Sequence, residues 1–505
     1  MSDEVEYTTF FERFTRFKPY EYQLRVASAL LAKGSAAAIV KTPFEGRDNS
    51  FSQSAGSSLV ISAPTGAGKT WAVLIPFIYS RIGGQPIADR LLYALPLRSL
   101  ADSLYRATHD RLCELMLDKR IPIRLQTGET SSVKGVGDPF LAEGRIIFCT
   151  IDQLLSSYLN IPFSVSPRMS NINAGALIGS LIVFDEYHLL DPGGSFRTAV
   201  LLHRHLAGVA RTVWMTATQA KTARDLLCRA QYLDARPIDV SVEELAQMPS
   251  QKNKQRIWKW FAKPLSAAAV VVETHSTLPK ERRRTLVIVN TVKRAQRIYR
   301  EIRNVLPAHY PMKLLHSRFL PSDRAEIVAW AQESFGRRAT EEAILIATQI
   351  VEAGLDISAA VLHTDLAPAN ALVQRAGRCA RYENENGLVL VYDTIGEDGE
   401  RDYRPYWLGQ PKDRVEEGGD DSDTFRDAMD NTARELAIRH NSALPFDAEL
   451  AFIGAVHTTL ETQAIRSFNE REWRRKAAKA MTPTPDSRNY ALAREMIRGS
   501  GLPPF

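Results

Sequence analysis

The chain has 505 residues, 45% of them hydrophobic and 24% charged, with a net charge of +6. These are ordinary globular values that exclude a disordered or fibrous chain, and the length leaves room for about two to four domains. Four widely spaced cysteines (Cys113, Cys149, Cys228 and Cys379) form no C-x-x-C pair, so neither a zinc site nor a disulfide framework is indicated, and a reducing cytoplasm is the expected setting. The mild positive charge suits a polyanionic partner without demanding one. The acidic start, Met1-Ser2-Asp3-Glu4, is no signal peptide, and no uncharged apolar run approaches the ~20 residues of a membrane helix.

Short β-type runs alternate with helix-length amphipathic segments through most of the chain. The first series is Leu59–Ile61, Leu91–Leu95, Arg145–Cys149, Leu181–Phe184 and Thr212–Met215. The second is Thr285–Val289, Lys313–Leu315, Ala343–Ile346, Ala360–His363 and Leu388–Val391. Continuous apolar strands separated by helices predict parallel sheets covered on both faces, so the chain reads as α/β with two lobes. The expected divisions are lobe 1 over 1–240, a connector over 241–284, lobe 2 over 285–410, and a linker with a small, mostly helical C-terminal region over 411–505.

Pro249, Pro264 and Pro279 mark the connector, which also holds Lys252–Lys263, where aromatics interleave with basic residues. Trp258 or Trp260 stacking on a base is one reading of that stretch; the period-two alternation of R-I-W-K-W-F favours a half-buried strand. The acidic run Glu416–Asp423 reads as a solvated linker, and the charged segment Glu470–Lys479 as a solvated basic helix face. His109-Asp110, His203 and His205 lack partners at metal-ligand spacing and read as surface residues.

Two segments carry the chemistry of a Mg·NTP hydrolysis site. Ala63-Pro64-Thr65-Gly66-Ala67-Gly68-Lys69-Thr70 follows a strand-like run, and its glycines let backbone N–H groups wrap phosphates while Lys69 reaches the β/γ oxygens. Asp185-Glu186-Tyr187-His188 closes a second apolar run about a hundred residues later. Thr70 and Asp185 are the expected metal ligands, and Glu186 is placed to orient or deprotonate the attacking water. Farther on, Gln374-Arg375-Ala376-Gly377-Arg378-Cys379-Ala380-Arg381 spaces arginines by three, which on a helix puts them on one face. Arg378 and Arg381, with Gln374, suit the charge that develops on a transferring γ-phosphoryl group.

With these motifs in order, the chain resembles the superfamily 2 helicases over roughly residues 17–395. The resemblance implies two tandem RecA-like lobes that sandwich ATP. It makes Gln23, in Phe17-Lys18-Pro19-Tyr20-Glu21-Tyr22-Gln23, the adenine ligand, and gives Thr216-Ala217-Thr218, together with His188, the coupling of hydrolysis to movement. Pro96-Leu97-Arg98, Thr127-Gly128-Glu129, Thr150-Ile151-Asp152-Gln153, Asn290-Thr291-Val292 and Ala347–Asp356 resemble the strand-contacting motifs. They imply backbone contacts by Pro96, Arg98, Gly128, Thr150, Asn290, Thr291 and Thr348, with Gly354 and Asp356 near the nucleotide. Leu314-Leu315-His316-Ser317-Arg318-Phe319 adds Ser317 and Arg318 and is similar to the helicase of type I CRISPR interference systems.

That likeness implies a 3′-to-5′ single-stranded DNA translocase using ATP and Mg2+, recruited to a CRISPR surveillance complex in a prokaryotic cytoplasm. Two departures stand out: Gly354 where the family often has serine, and Ala380 where histidine is common. The first motif begins near Phe17, so the HD-type nuclease usual in the family is expected to act in trans. A DExH RNA or repair helicase, and an ATP-gated DNA-binding adaptor, are the alternatives. Retained hydrolysis groups at Glu186, Arg378 and Arg381 weigh against an adaptor.

Overall fold

The computed structural model describes residues 2–32, 58–64, 66–127, 140–162, 164–165, 167–248, 254–271, 275–279, 283–352, 355–396, 399–406, 421–481 and 487–498. The chain divides into two compact units. One comprises Met1–Ala217, Thr222–Glu244 and Thr462–Pro504, the other Thr218–Lys221 and Leu245–Glu461.

The first unit is built on a seven-stranded sheet: β1 (Ser58–Ser62), β2 (Arg90–Leu95), β3 (Ile123–Gln126), β4 (Ile146–Thr150), β5 (Ser180–Asp185), β6 (Arg211–Thr216) and β7 (Ala235–Asp239). All its ladders are parallel, in the order β3-β4-β2-β5-β6-β1-β7. Every residue of β1, β4 and β5 is buried, which is why these strands are apolar without alternation. Strand β6 lies between β1 and β5, so the loops leaving these three strands emerge side by side.

The second unit carries β8 (Gln255–Phe261), β9 (Arg284–Ile288), β10 (Met312–Leu315), β11 (Ala343–Ala347), β12 (Val361–Asp365), β13 (Asn386–Tyr392) and β14 (Ser442–Ala443). Their order is β10-β11-β9-β12-β13-β8-β14, parallel throughout except where the short β14 runs antiparallel to β8. The stretch expected as connector therefore supplies a strand. R-I-W-K-W-F pairs with β13 along its whole length, and Trp258 is buried at 1% exposure against Phe452, which removes it from any base-stacking role.

Residues expected to form one C-terminal region divide between the units. The helix Asp421–Ile438 and most of Phe446–Arg466 belong to the second, whereas Glu470–Ala480 and Ser487–Arg498 belong to the first. Glu470–Ala480 is amphipathic: Trp473, Ala477 and Ala480 are buried while Arg471, Arg474, Arg475 and Lys479 stay exposed. Trp473 Nε1–H donates to Thr198 Oγ1 at 3.1 Å, and the Thr198 hydroxyl donates to Met496 O at 2.6 Å, so one threonine ties both terminal helices to Ser195–His205. Of the acidic run Glu416–Asp423, expected as a linker, residues 416–420 lie outside the described residues and Asp421–Asp423 open the helix Asp421–Ile438. No helix among the described residues is long and apolar enough to cross a membrane.

Truncating Trp473 to Ala removes a buried ring and its hydrogen bond, at about 3–5 kcal/mol. The expected result is loss of amide protection across residues 470–498 in hydrogen exchange, with protection in β1 and β5 retained.

Candidate functional site

The phosphate-type loop follows β1 directly and ends in the helix Lys69–Ile82. Gly66 (φ 84°) and Gly68 (φ 76°) adopt left-handed backbone angles that side chains resist. A Cβ on Gly68 would also lie 2.8 Å from Gln23 Nε2. Gln23 braces this turn, its Nε2 donating to Gly68 O (3.0 Å) and its Oε1 accepting from Tyr20 N (2.9 Å). Tyr22 Oη donates to Ala67 O at 2.5 Å. The side chains expected near the base thus shape the loop backbone. Lys69 is buried, with Nζ donating to Ala63 O (3.0 Å) and Pro64 O (3.4 Å) and standing 3.8 Å from Glu186 Oε1. Thr65 lies outside the described residues.

Because β6 separates β1 from β5, the end of β6 meets both halves of the site. Asp185 ends β5, and its Oδ1 accepts the Glu186 N–H at 3.0 Å. Its Oδ2 accepts from Tyr93 Oη at 2.9 Å. Burial, then the neighbouring Glu186 charge, raises the Asp185 pKa, with Lys69 opposing. Glu186 occupies the left-handed region (φ 50°, ψ 43°), a strained position for a residue with a side chain. That kink directs its carboxylate toward Lys69 on one side and His188 Nδ1, 3.5 Å away, on the other. His188 Nδ1 is also 2.8 Å from Thr216 Oγ1, which joins the acidic segment to the end of β6. Burial lowers the His188 pKa from 6.5 to about 4, so at neutral pH its contact with Glu186 is a polar one and not an ion pair.

Thr70, in the first turn of the helix after the loop, and Asp185, at the end of β5, offer a hydroxyl and a carboxylate oxygen, the hard donors that fit a divalent cation such as Mg2+. Tyr93 was legible only as a strand residue: nothing in its neighbours announces that its hydroxyl meets Asp185 across the β2–β5 ladder.

The strand-contacting residues expected in this unit cluster at the same sheet edge. Leu95 pairs with buried Thr150 at the ends of β2 and β4, and half-buried Pro96 and exposed Arg98 follow just beyond the end of β2. Gly128 lies outside the described residues, and Thr218 is buried at 1% exposure. His203, read as a surface residue, is buried, with Nδ1 2.8 Å from Thr212 Oγ1; the helix carrying it turns that face toward β6. His205 Nδ1 meets Tyr158 Oη at 2.6 Å. His109 is on the surface, its side chain 47% exposed.

In the second unit, Asn290 is internal. Its Nδ2 donates to Leu366 O (2.8 Å), its Oδ1 accepts from Arg375 (3.0 Å), and its carbonyl accepts from Gln349 (2.8 Å). These ties brace it within the lobe. Thr291 caps the following helix, accepting Arg294 N–H at 3.3 Å. Thr348 is buried after β11, while Ser317 and Arg318 are exposed after β10.

The arginine segment departs from its expected geometry. The helix Ala369–Ala376 ends at Gly377, and the chain then pairs with Ala359: Ala359 N donates to Arg378 O and Ala380 N to Ala359 O, both at 2.9 Å. Ala380 takes φ 45°, so Arg378 and Arg381 lie in a turn and do not share a helix face. Arg375 is fully buried, bonding Glu352 (2.7 Å), Thr364 Oγ1 (2.8 Å), Asn290 Oδ1 (3.0 Å) and Tyr406 Oη (2.7 Å). It is a structural hub. Arg378 is held by the carbonyls of Val351 (3.0 Å) and Glu352 (2.7 Å). Arg381 pairs with Asp356 at 2.6 Å, and its Nη1 has no hydrogen-bond partner among the described residues. Gln374 is half-buried on the last turn of the helix, and Gly354 lies outside the described residues.

His188 yields a pH prediction. Its folded pKa of about 4 lies below the ordinary 6.5, so between these values the unfolded chain takes up a proton that the folded chain refuses. Stability therefore falls as pH drops through that window, by about 2 kcal/mol for this residue between pH 7 and pH 5. Urea unfolding at both values should show a smaller loss for His188→Gln than for the wild type.

Comparison with known proteins accords with this geometry. Residues 48–226 match the DEAD/DEAH box helicase family, and residues 281–384 match the family described as CRISPR-associated nuclease/helicase Cas3, C-terminal. The CRISPR-associated helicase Cas3 of Thermoproteus tenax is 27% identical over 350 residues, covering 67% of this chain and 56% of that protein. The ATP-dependent RNA helicase dbp4 of Aspergillus fumigatus is 26% identical over 383 residues, covering 73% of this chain and 44% of that protein. The chain thus spans about half the length of the curated relatives it matches. The crystal structure of T. fusca Cas3 with AMPPNP shares the fold, with a TM-score of 0.63 at 19% identity over 93% of this chain and 56% of that one. With a DEAD/DEAH box match on its first sheet and a Cas3-type C-terminal match on its second, the chain is similar to superfamily 2 helicases of the Cas3 type.

Proposed function

We propose that this chain is the motor of a CRISPR type I interference system: an ATP-driven 3′-to-5′ translocase on single-stranded DNA that unwinds target DNA for a nuclease acting in trans. The observation that carries the reading is the row formed at the ends of β1, β6 and β5, where Lys69, Thr216 with His188, and Asp185 with Glu186 meet. Lys69 grips the nucleotide phosphates, with Gln23 and the loop from Thr65 to Thr70 shaping the cradle. Thr70 and Asp185 would hold Mg2+, which when bound neutralises phosphate charge. Glu186 serves the attacking water. His188 links that carboxylate to Thr216, a path by which hydrolysis is felt at the end of β6.

Arg378, Arg381 and Gln374 act on the transferring phosphoryl group from the second lobe, with Asp356 and Gly354 near the nucleotide. The partial exposure of Arg381 supports this: its side chain is 20% exposed, where Arg375 is fully buried. Exposed Arg98, Ser317 and Arg318 are the strand contacts the surface offers most directly, alongside Pro96, Gly128, Thr150, Thr291 and Thr348. Direction of travel, a surveillance-complex partner and a prokaryotic cytoplasmic setting follow from the likeness to Cas3 proteins. The dbp4 match favours a second reading, an RNA helicase.

ATP turnover measured with single-stranded DNA, single-stranded RNA or neither separates these readings. DNA should stimulate hydrolysis strongly, with binding that weakens as salt rises; stimulation by RNA alone overturns the DNA reading. In the same assay Lys69→Ala should abolish turnover, and Glu186→Gln should bind ATP yet stall. Arg378→Ala and Arg381→Ala should each cost on the order of 10³ in turnover while barely changing ATP affinity. Wild-type rates in both arginine variants would remove the second lobe from the chemistry.

A further inference from the structure

Arg381 lies outside helix and strand, and side chains from distant segments hold its backbone. Its N–H donates to Ser358 Oγ at 3.0 Å, and its carbonyl accepts from Lys254 Nζ at 3.3 Å. Ser358 is fully buried and passes its hydroxyl on to Glu385 Oε2. The same Oε2 accepts Tyr382 N–H at 3.0 Å, and Glu385 Oε1 faces Arg284 Nη2 at 3.5 Å.

Donor arithmetic sets the direction of the chain. An amide N–H can only donate, so Ser358 Oγ accepts from Arg381 and its single proton goes to Glu385. One carboxylate therefore fixes two consecutive amides, Tyr382 directly and Arg381 through the serine. The residue before them, Ala380, sits at φ 45°, a left-handed angle that a residue with a side chain keeps only when its surroundings over-determine it. Gly387 lets the next strand close against this turn: a Cβ there would lie 2.5 Å from Cys379 Sγ and 3.0 Å from Ala380 Cβ.

We propose that Ser358 and Glu385 are positioning residues: a clamp that holds the strained turn and, with it, the direction of the Arg381 guanidinium. This rests on the reading that Arg381 acts on the transferring phosphoryl group. Both residues act through Arg381 and not on the nucleotide. Without the serine hydroxyl the Arg381 amide and the Glu385 carboxylate lose their link, and the turn relaxes. A guanidinium displaced by about 1 Å costs on the order of 10²-fold in rate.

The test follows ATP hydrolysis by the full chain with saturating single-stranded DNA, reading kcat and KM for ATP separately beside the thermal midpoint. Ser358→Ala should lower kcat about 10–100-fold while KM for ATP stays within about twofold of wild type. In an Arg381→Ala background, Ser358→Ala should cost nothing further, because a positioning residue has no effect once the group it positions is gone. Glu385→Ala, at a side chain 23% exposed, carries the same two expectations if Ser358→Ala does not accumulate folded. Wild-type kcat in the folded clamp variant overturns the clamp, as does an equal fold-loss with and without Arg381. If Arg381→Ala itself turns over ATP at the wild-type rate, the part of Arg381 in the chemistry fails and the clamp falls with it.

Discussion

The arrangement of the first unit depends on one ladder: β6 pairing in parallel with β1 on one side and β5 on the other. Parallel strands end on the same edge, so this neighbourhood brings the glycine loop, the Asp185-Glu186 segment and Thr216 together although about 150 residues separate the first from the last. The ladder also sets the electrostatics. The three strand ends are buried on both faces, which makes a carboxylate there costly and its partners obligatory. Lys69, Tyr93 and the Glu186 N–H meet that need, and each is supplied by a different part of the chain.

The second unit applies the same economy to arginine. Arg375 is buried among a carboxylate, two side-chain oxygens and a phenol, and every bond it makes joins elements of one lobe. Arg378 is bound to backbone carbonyls, and Arg381 to a carboxylate that is itself 70% exposed. The three arginines of a regular spacing thus grade from internal brace to available charge. Helix termination at Gly377 separates them, because the carbonyl and amide groups of the next residues are taken by Ala359.

Two histidines show how burial and not identity assigns a role. His188 and His203 are each held neutral by burial with a threonine hydroxyl at Nδ1, at 2.8 Å in both cases. Only His188 also meets a carboxylate that belongs to the site. His203 locks a helix onto β6 and carries no chemistry.

The sequence by itself determined the α/β class, the order of the motifs and the identity of the phosphate loop and acidic strand end. Those features are local: glycines with a lysine, or an apolar run ending in acids, state their geometry within a few residues. Period-two patterning likewise declared the strand at Gln255–Phe261. What a residue meets across the sheet is not local. The Tyr93 hydroxyl at Asp185, the internal ties of Asn290 and the burial of His203 all come from pairing between distant segments. The same holds for the packing of the last two helices on the first unit, where the basic face of a charged segment is solvated as expected and its buried face is seen only with Thr198 beneath Trp473. The arginine turn was hidden for a related reason: a spacing of three looks helical unless a residue elsewhere claims the backbone, and only the tertiary structure put Ala359 there.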